Sequence, residues 1–111
     1  MVRDDRVTLE QMLDAARRLS GLARGRSYDA FAGDDVTQLA TLHLIQRLGE
    51  AASRLAAELR AAHPELPWGE MIGMRNRIVH SYDDFDPKIA WRVASEDVEP
   101  VIAAVERILS R

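Results

Sequence analysis

Apolar residues return along this chain at the three-to-four-residue spacing of helices buried on one side, never in the two-residue alternation of a half-buried strand. Val7, Leu9, Met12, Leu13, Ala16, Leu19 and Leu22 form a first stripe, which predicts a long amphipathic helix capped by Asp4 or Asp5 and ending near Gly21 to Gly25. Arg24-Gly25-Arg26 turns the chain, and Ser27 caps a short helix, Tyr28 to Ala32, that Gly33 closes. Tyr28 and Phe31 are expected to plug one end of the bundle. Asp34 or Asp35 then opens the longest predicted helix, Val36 to Ala62, whose inner face is read as Leu39, Leu42, His43, Ile45, Gln46, Gly49, Ala52, Ala56 and Leu59. His63-Pro64-Glu65-Leu66-Pro67 forbids continuation, because proline lacks the amide hydrogen and disfavours helix in the residue before it.

Pro67 suits the first position of the next helix, with Trp68 packed at its start and Met71, Met74, Ile78 and, more loosely, Val79 as its buried stripe. Asp83, Asp84, Asp86 and Pro87 end that helix and open another through Ile89, Ala90, Trp91 and Val93. Pro100 falls in the first turn of a last helix, Val101, Ile102, Val105, Ile108 and Leu109, with Asp97 to Glu99 as the boundary. The expected fold class is all-α: four main helices plus a short one, joined by short connections into an up-and-down bundle, as a single domain over residues 1–111.

Composition adjusts this picture in a few places. With 111 residues and 47% hydrophobic content, the chain has one modest core and enough apolar surface for a second copy to cover. It contains no cysteine, which excludes disulfides and thiolate metal sites and fits a reducing compartment. Neither an export signal nor a long apolar span is evident, so the expectation is a cytoplasmic protein with no membrane association. A net charge of −3 argues against a sequence-independent nucleic-acid coat, yet allows a local basic pocket. Of the 15 basic residues only Lys88 is a lysine; a codon bias toward arginine and alanine explains this, and planar guanidinium groups also match phosphate oxygens in pairs.

The chemistry is concentrated between Met71 and Tyr82, where Arg75, Asn76, His80 and Tyr82 stand among apolar residues. Asn76 and His80, four apart, share a helix face. Arg75 and His80, five apart, diverge by roughly 140° on an ideal helix, so the pair is not closed within one helix. Glu50, beside Gly49 in the long helix, faces either solvent or this segment. His43 and His63 have no histidine partner at ligand spacing, which makes a metal site improbable, and no cofactor is called for. A Walker or Rossmann loop and a nucleophile elbow are likewise missing. Histidine and arginine alone suffice to cleave RNA through its own 2′-hydroxyl: a base takes that proton, an acid protonates the departing 5′-oxygen, and a cation stabilises the charged phosphorus between them. The plain alternative makes Arg75 a surface ion-pair partner of Asp83 or Asp84 and His80 a polar helix-end residue.

Arg75-Asn76 followed by His80 and Tyr82 resembles the R-x4-H-x-Y motif of the HepT-like toxins, a branch of the HEPN superfamily of small helical RNases. The likeness extends over nearly the whole chain, through the Gly49-Glu50-Ala51 step, the Pro64, Pro67-Trp68 lead-in, the Ile72-Gly73 and Arg75-Asn76 run, and Trp91. It implies a homodimer whose motif helices face each other across a composite, metal-independent RNase cleft, with transfer or messenger RNA as substrate. It also implies the toxin of a type VII-like HEPN/MNT toxin-antitoxin pair, silenced when a small nucleotidyltransferase antitoxin transfers AMP to the motif tyrosine. On this sequence His80 would be acid or base, Arg75 the phosphate clamp, Asn76 and Glu50 supporting groups, and Tyr82 the modified residue. Ser81 departs from the glycine of many relatives. A second reading keeps the helical dimer and its nucleotidyltransferase partner but gives it no catalysis of its own.

Overall fold

The computed structural model describes residues 2–110, the side chain of Tyr82 excepted. Its helices are α1 (Arg3–Ala23), α2 (Tyr28–Ala32), α3 (Asp35–Arg54), α4 (Ala57–Ala62), α5 (Trp68–His80), α6 (Pro87–Arg92) and α7 (Val98–Leu109), and no strand occurs among the described residues. The all-α class is therefore as expected, with α1, α3, α5 and α7 as the main elements.

Long-range contacts give the directions. Asp5 near the start of α1 accepts the amide of Ala56 just beyond α3 (3.4 Å), Arg54 donates to Gln11 (3.0 Å), and Arg47 lies 3.8 Å from Asp14. Residue numbers rise on one helix as they fall on the other, so α1 and α3 are antiparallel. Arg17 with Glu106 (2.8 Å) and Ser20 with Glu99 (2.6 Å) show the same for α1 and α7. Leu9, Met12, Ala16, Leu19, Ile45, Ala52, Val98, Val105 and Ile108 meet in the core between these helices. Phe31 is fully buried there, worth about 1.5–3 kcal/mol by removal of its ring from water. Trp91 closes that end, its ring centre 5.3 Å from that of Phe31 and 6.2 Å from that of Tyr28. The shortest extent of the molecule is 19 Å, about two helix diameters, so each main helix keeps an outer face.

The long helix differs from the reading of the sequence. Instead of running from Val36 to Ala62 it breaks at Leu55 and Ala56, both in extended conformation, and resumes as α4. The local alanine-rich sequence favours helix throughout. The break is tertiary: it buries Leu55 and delivers the Ala56 amide to Asp5. The inner face also turns. Leu39 is half exposed and His43 is exposed rather than at the core edge, whereas Thr37 and Thr41 are buried. Thr41 donates to the Thr37 carbonyl (2.8 Å) and Thr37 to Asp34 (2.7 Å), which lets polar residues occupy core positions.

Smaller differences follow the same geometry. Val7 stands two residues before Leu9, about 160° away around the helix, and is exposed. Val2, with no capping side chain, precedes α1, so Asp4 and Asp5 lie in its first turn. Asp97 to Glu99 is no interruption: a π-helical segment, Val93–Asp97, joins α6 to α7. Pro100 has no amide hydrogen for the Glu96 carbonyl, and the wider turn just upstream accommodates its ring.

Candidate active site

Helix α5 is set in place at its start and near its middle. The Trp68 indole donates to the His63 carbonyl (2.9 Å) across the turn that buries Leu66. Farther along, α5 crosses α3 at Gly49. A β-carbon on Gly49 would collide with Arg75 Cβ and lie 2.6 Å from the Met71 carbonyl oxygen, so only glycine permits this approach. Met71 and Ile78 are buried on the α3 side and Met74 half-buried, as their spacing predicts, but Val79 is half exposed. On a 100° step Val79 lies well off the Met71–Ile78 line.

The crossing fixes the base of Arg75, and its guanidinium runs along the α3 border. One terminal nitrogen donates to Asn76 Oδ1 (2.9 Å), and Nε lies 3.9 Å from Glu50 Oε1. That separation makes an ion pair without a hydrogen bond, and the buried Nε has no hydrogen-bond partner among the described residues. Gln46 donates to the same Glu50 oxygen (3.2 Å), which steadies the carboxylate. The described partners of Arg75 are therefore Glu50 and Asn76, in place of the Asp83 or Asp84 pairing expected of a plain surface residue.

His80 stands one turn beyond Asn76 on the exposed side of α5. With Asn76, Arg77, Ser81, Asp84 and Phe85 it lines an open recess of about 320 Å³. The Arg77 guanidinium lies 5.5 Å from the centre of the Phe85 ring, and that ring is buried. Asn76 thus links two groups the fold keeps apart: it accepts from Arg75 on one side and borders the His80 recess on the other. Arg75 does not line that recess, in agreement with the divergence of roughly 140° between the two positions.

Gly69, Gly73, Asn76 and His80 fall within a narrow arc of α5 by the same rotation. A β-carbon at Gly69 or Gly73 would meet nothing within 4 Å. The face that carries His80 is therefore open to solvent over most of the helix length. Tyr82 begins the short 3₁₀ turn Tyr82–Asp84 after α5, and its side chain lies outside the described residues.

Sequence reading did not single out Gln46, Asp84 and Phe85 as site residues. Phe85 had a legible signal, a lone aromatic inside the acidic turn Asp83-Asp84-Phe85-Asp86. Gln46 had none, since its role depends on where Glu50 points. Among the described residues no group of three or more histidines, cysteines or carboxylates comes together as a metal cage. No helix there is long and apolar enough to cross a membrane.

Residues 12–108 match the model of a protein family described as Ribonuclease HepT-like. Among curated relatives, "Probable ribonuclease HepT" of Thermococcus cleftensis is 28% identical over 97% of this chain and 98% of its own length. "Putative RNase TTE0752" of Caldanaerobacter subterraneus is 28% identical over 99% and 98%, and "Putative RNase MJ1380" of Methanocaldococcus jannaschii 28% over 94% and 95%. No solved structure matches the chain.

Proposed function

The chain belongs to the Ribonuclease HepT-like family, and from that membership we propose that it is a metal-independent endoribonuclease, the toxin of a HEPN/MNT toxin-antitoxin pair acting in the cytoplasm. Its substrate is RNA, transfer or messenger. The observation that carries this reading is the division of the site: a guanidinium held at the α3–α5 crossing, and a histidine on an open helix face beside it.

A homodimer completes the arrangement. Gly69 and Gly73 leave room for a second α5 to approach closely, which brings a second His80 to the same recess. One His80 then removes the 2′-hydroxyl proton while the other protonates the departing 5′-oxygen. The 2′-oxygen attacks phosphorus, the bond to the 5′-oxygen breaks, and a cyclic phosphate remains on the upstream fragment. Arg75, whose side chain is partly exposed, binds the charged phosphoryl oxygens through the exposed part of its guanidinium as they form. Asn76 and Glu50 hold the guanidinium in position.

Tyr82 follows His80 by two residues. A nucleotidyltransferase antitoxin that joins its phenolic oxygen to the α-phosphorus of ATP, with pyrophosphate leaving, adds a bulky anion two residues from His80. That group repels RNA phosphate and silences the toxin.

The test is an RNA-cleavage assay of protein whose intact mass shows no added AMP, with chelator present and His80→Ala alongside. Cleavage by the unmodified protein, lost in His80→Ala, is expected. Full cleavage by His80→Ala contradicts the assignment of the histidine. No cleavage from unmodified wild-type protein would leave a non-catalytic partner of the nucleotidyltransferase as the better reading.

A further inference from the structure

A second basic feature lies on the other side of α3 from the crossing. Between α1 and α3 runs an open groove of about 430 Å³, lined among others by Arg18, His43 and Arg47, with Gly21 and Leu22 from the end of α1. Among the described residues no carboxylate lines it. The nearest counter-charge is Asp14, 3.0 Å from Arg18 Nε and 3.8 Å from Arg47, so a single carboxylate serves two guanidinium groups and local positive charge is left over. In a chain of net charge −3 such a surplus is a local departure.

The groove and the site are linked by one row of residues on α3. His43, Arg47 and Glu50 are spaced at i, i+4 and i+7 on α3 and form one stripe along its outer face. From His43 to Glu50 the helix rises about 10 Å, and Glu50 is the carboxylate beside Arg75. We propose that this α1–α3 groove, through Arg18, Arg47 and His43, binds the backbone phosphates of the RNA segment that flanks the bond held at Arg75.

The proposal rests on the RNA-cleaving reading of the α5 site, and charge complementarity identifies the occupant: a chain carrying one negative charge per nucleotide suits an open groove with surplus guanidinium and no carboxylate. Surface ion pairs such as Arg18–Asp14 contribute only about 0–1 kcal/mol, so freeing these side chains for a phosphate disturbs the fold little. Gly21 offers an independent handle, because a β-carbon there would meet nothing and glycine is a poor helix former. Gly21→Glu places an anion in the groove without loss of helix stability.

The experiment measures binding of a uniformly 2′-O-methylated oligoribonucleotide, which lacks the attacking hydroxyl and is not cut, across a salt series. Relative to wild type, the Arg18→Gln, Arg47→Gln double variant should lower the slope of log affinity against log salt by about 1.4, the value for two single-strand phosphates. Gly21→Glu should weaken binding roughly tenfold. Cleavage of a dinucleotide, which spans only the scissile bond, should stay at the wild-type rate in both. Unchanged slope and affinity would overturn the proposal, as would an equal loss on the dinucleotide. A changed sedimentation coefficient with unchanged RNA affinity would make the groove a protein contact and overturn it as well. If wild-type protein cuts RNA while the groove variants bind normally, the groove alone is refuted; if wild-type protein neither binds nor cuts RNA, the cleavage reading fails and the groove with it.

Discussion

Gly49 on α3 and Gly73 on α5 lie on either side of the same site, and a side chain would meet opposite conditions at each. At Gly49 it would run into Arg75 and the Met71 carbonyl; at Gly73 it would meet open space. The first glycine is explained within one molecule, by the close approach that positions Arg75. The second has no neighbour among the described residues to account for it, and it shares a helix face with Asn76 and His80. One side of α5 is filled by this chain and the other stands open, as the proposed dimer requires.

That contrast predicts which measurement responds to which change. His80→Ala, on the open side, should reduce RNA cleavage by about a hundredfold to ten-thousandfold while the thermal midpoint stays within a degree or so, because the removed ring is exposed. Arg75→Lys keeps the charge but loses the planar donor set, and a drop in cleavage of about a hundredfold is expected with the fold intact. Equal rates for the lysine variant and wild type would show that Arg75 is a simple point charge or no part of the site. On the closed side, Gly49→Val should lower the stability read from the urea midpoint by about 1–3 kcal/mol through overpacking, and cleavage should fall with it as Arg75 shifts. A Gly49→Val protein as stable as wild type would mean the crossing relaxes easily and does not fix Arg75.

The smallest effect lies far from the site and serves as a control. Asp34 caps α3, and its carboxyl is lowered from 3.8 to about 2, chiefly by the hydrogen bond from the Thr37 hydroxyl, then by the Thr37 amide and Arg26. A lowered folded-state value means that the stabilisation is present above the ordinary carboxylate range and disappears as pH falls toward about 2. Wild type and Asp34→Ala should therefore differ slightly in urea midpoint at neutral pH and converge in acid, with cleavage at neutral pH unchanged.

The helices were legible wherever the apolar spacing reported on a single element. The α5 stripe of Met71, Met74 and Ile78 and the Phe31 plug could be placed from sequence, because burial there follows the helical period. Features decided by a distant partner could not. The break after Arg54 depends on an acceptor at Asp5, 51 positions away, and nothing near Leu55 announces it. Thr37 and Thr41 are polar by composition and core by location, since each hydroxyl is satisfied locally. Within the site, the spacing of Arg75, Asn76 and His80 correctly implied that arginine and histidine diverge. The direction of Glu50 stayed open until the crossing at Gly49 brought it within 3.9 Å of Arg75.

The central claim is that the site is divided between two copies of the chain, and one pair of observations on Gly73→Leu tests it. Leucine there has open space in the protomer and improves helix propensity by roughly 1 kcal/mol, so the folded chain should be at least as stable as wild type. Sedimentation equilibrium and RNA cleavage on the same samples should then show a cutting wild-type dimer beside a folded Gly73→Leu monomer that does not cut. A Gly73→Leu monomer that cleaves RNA at the wild-type rate would contradict the divided site.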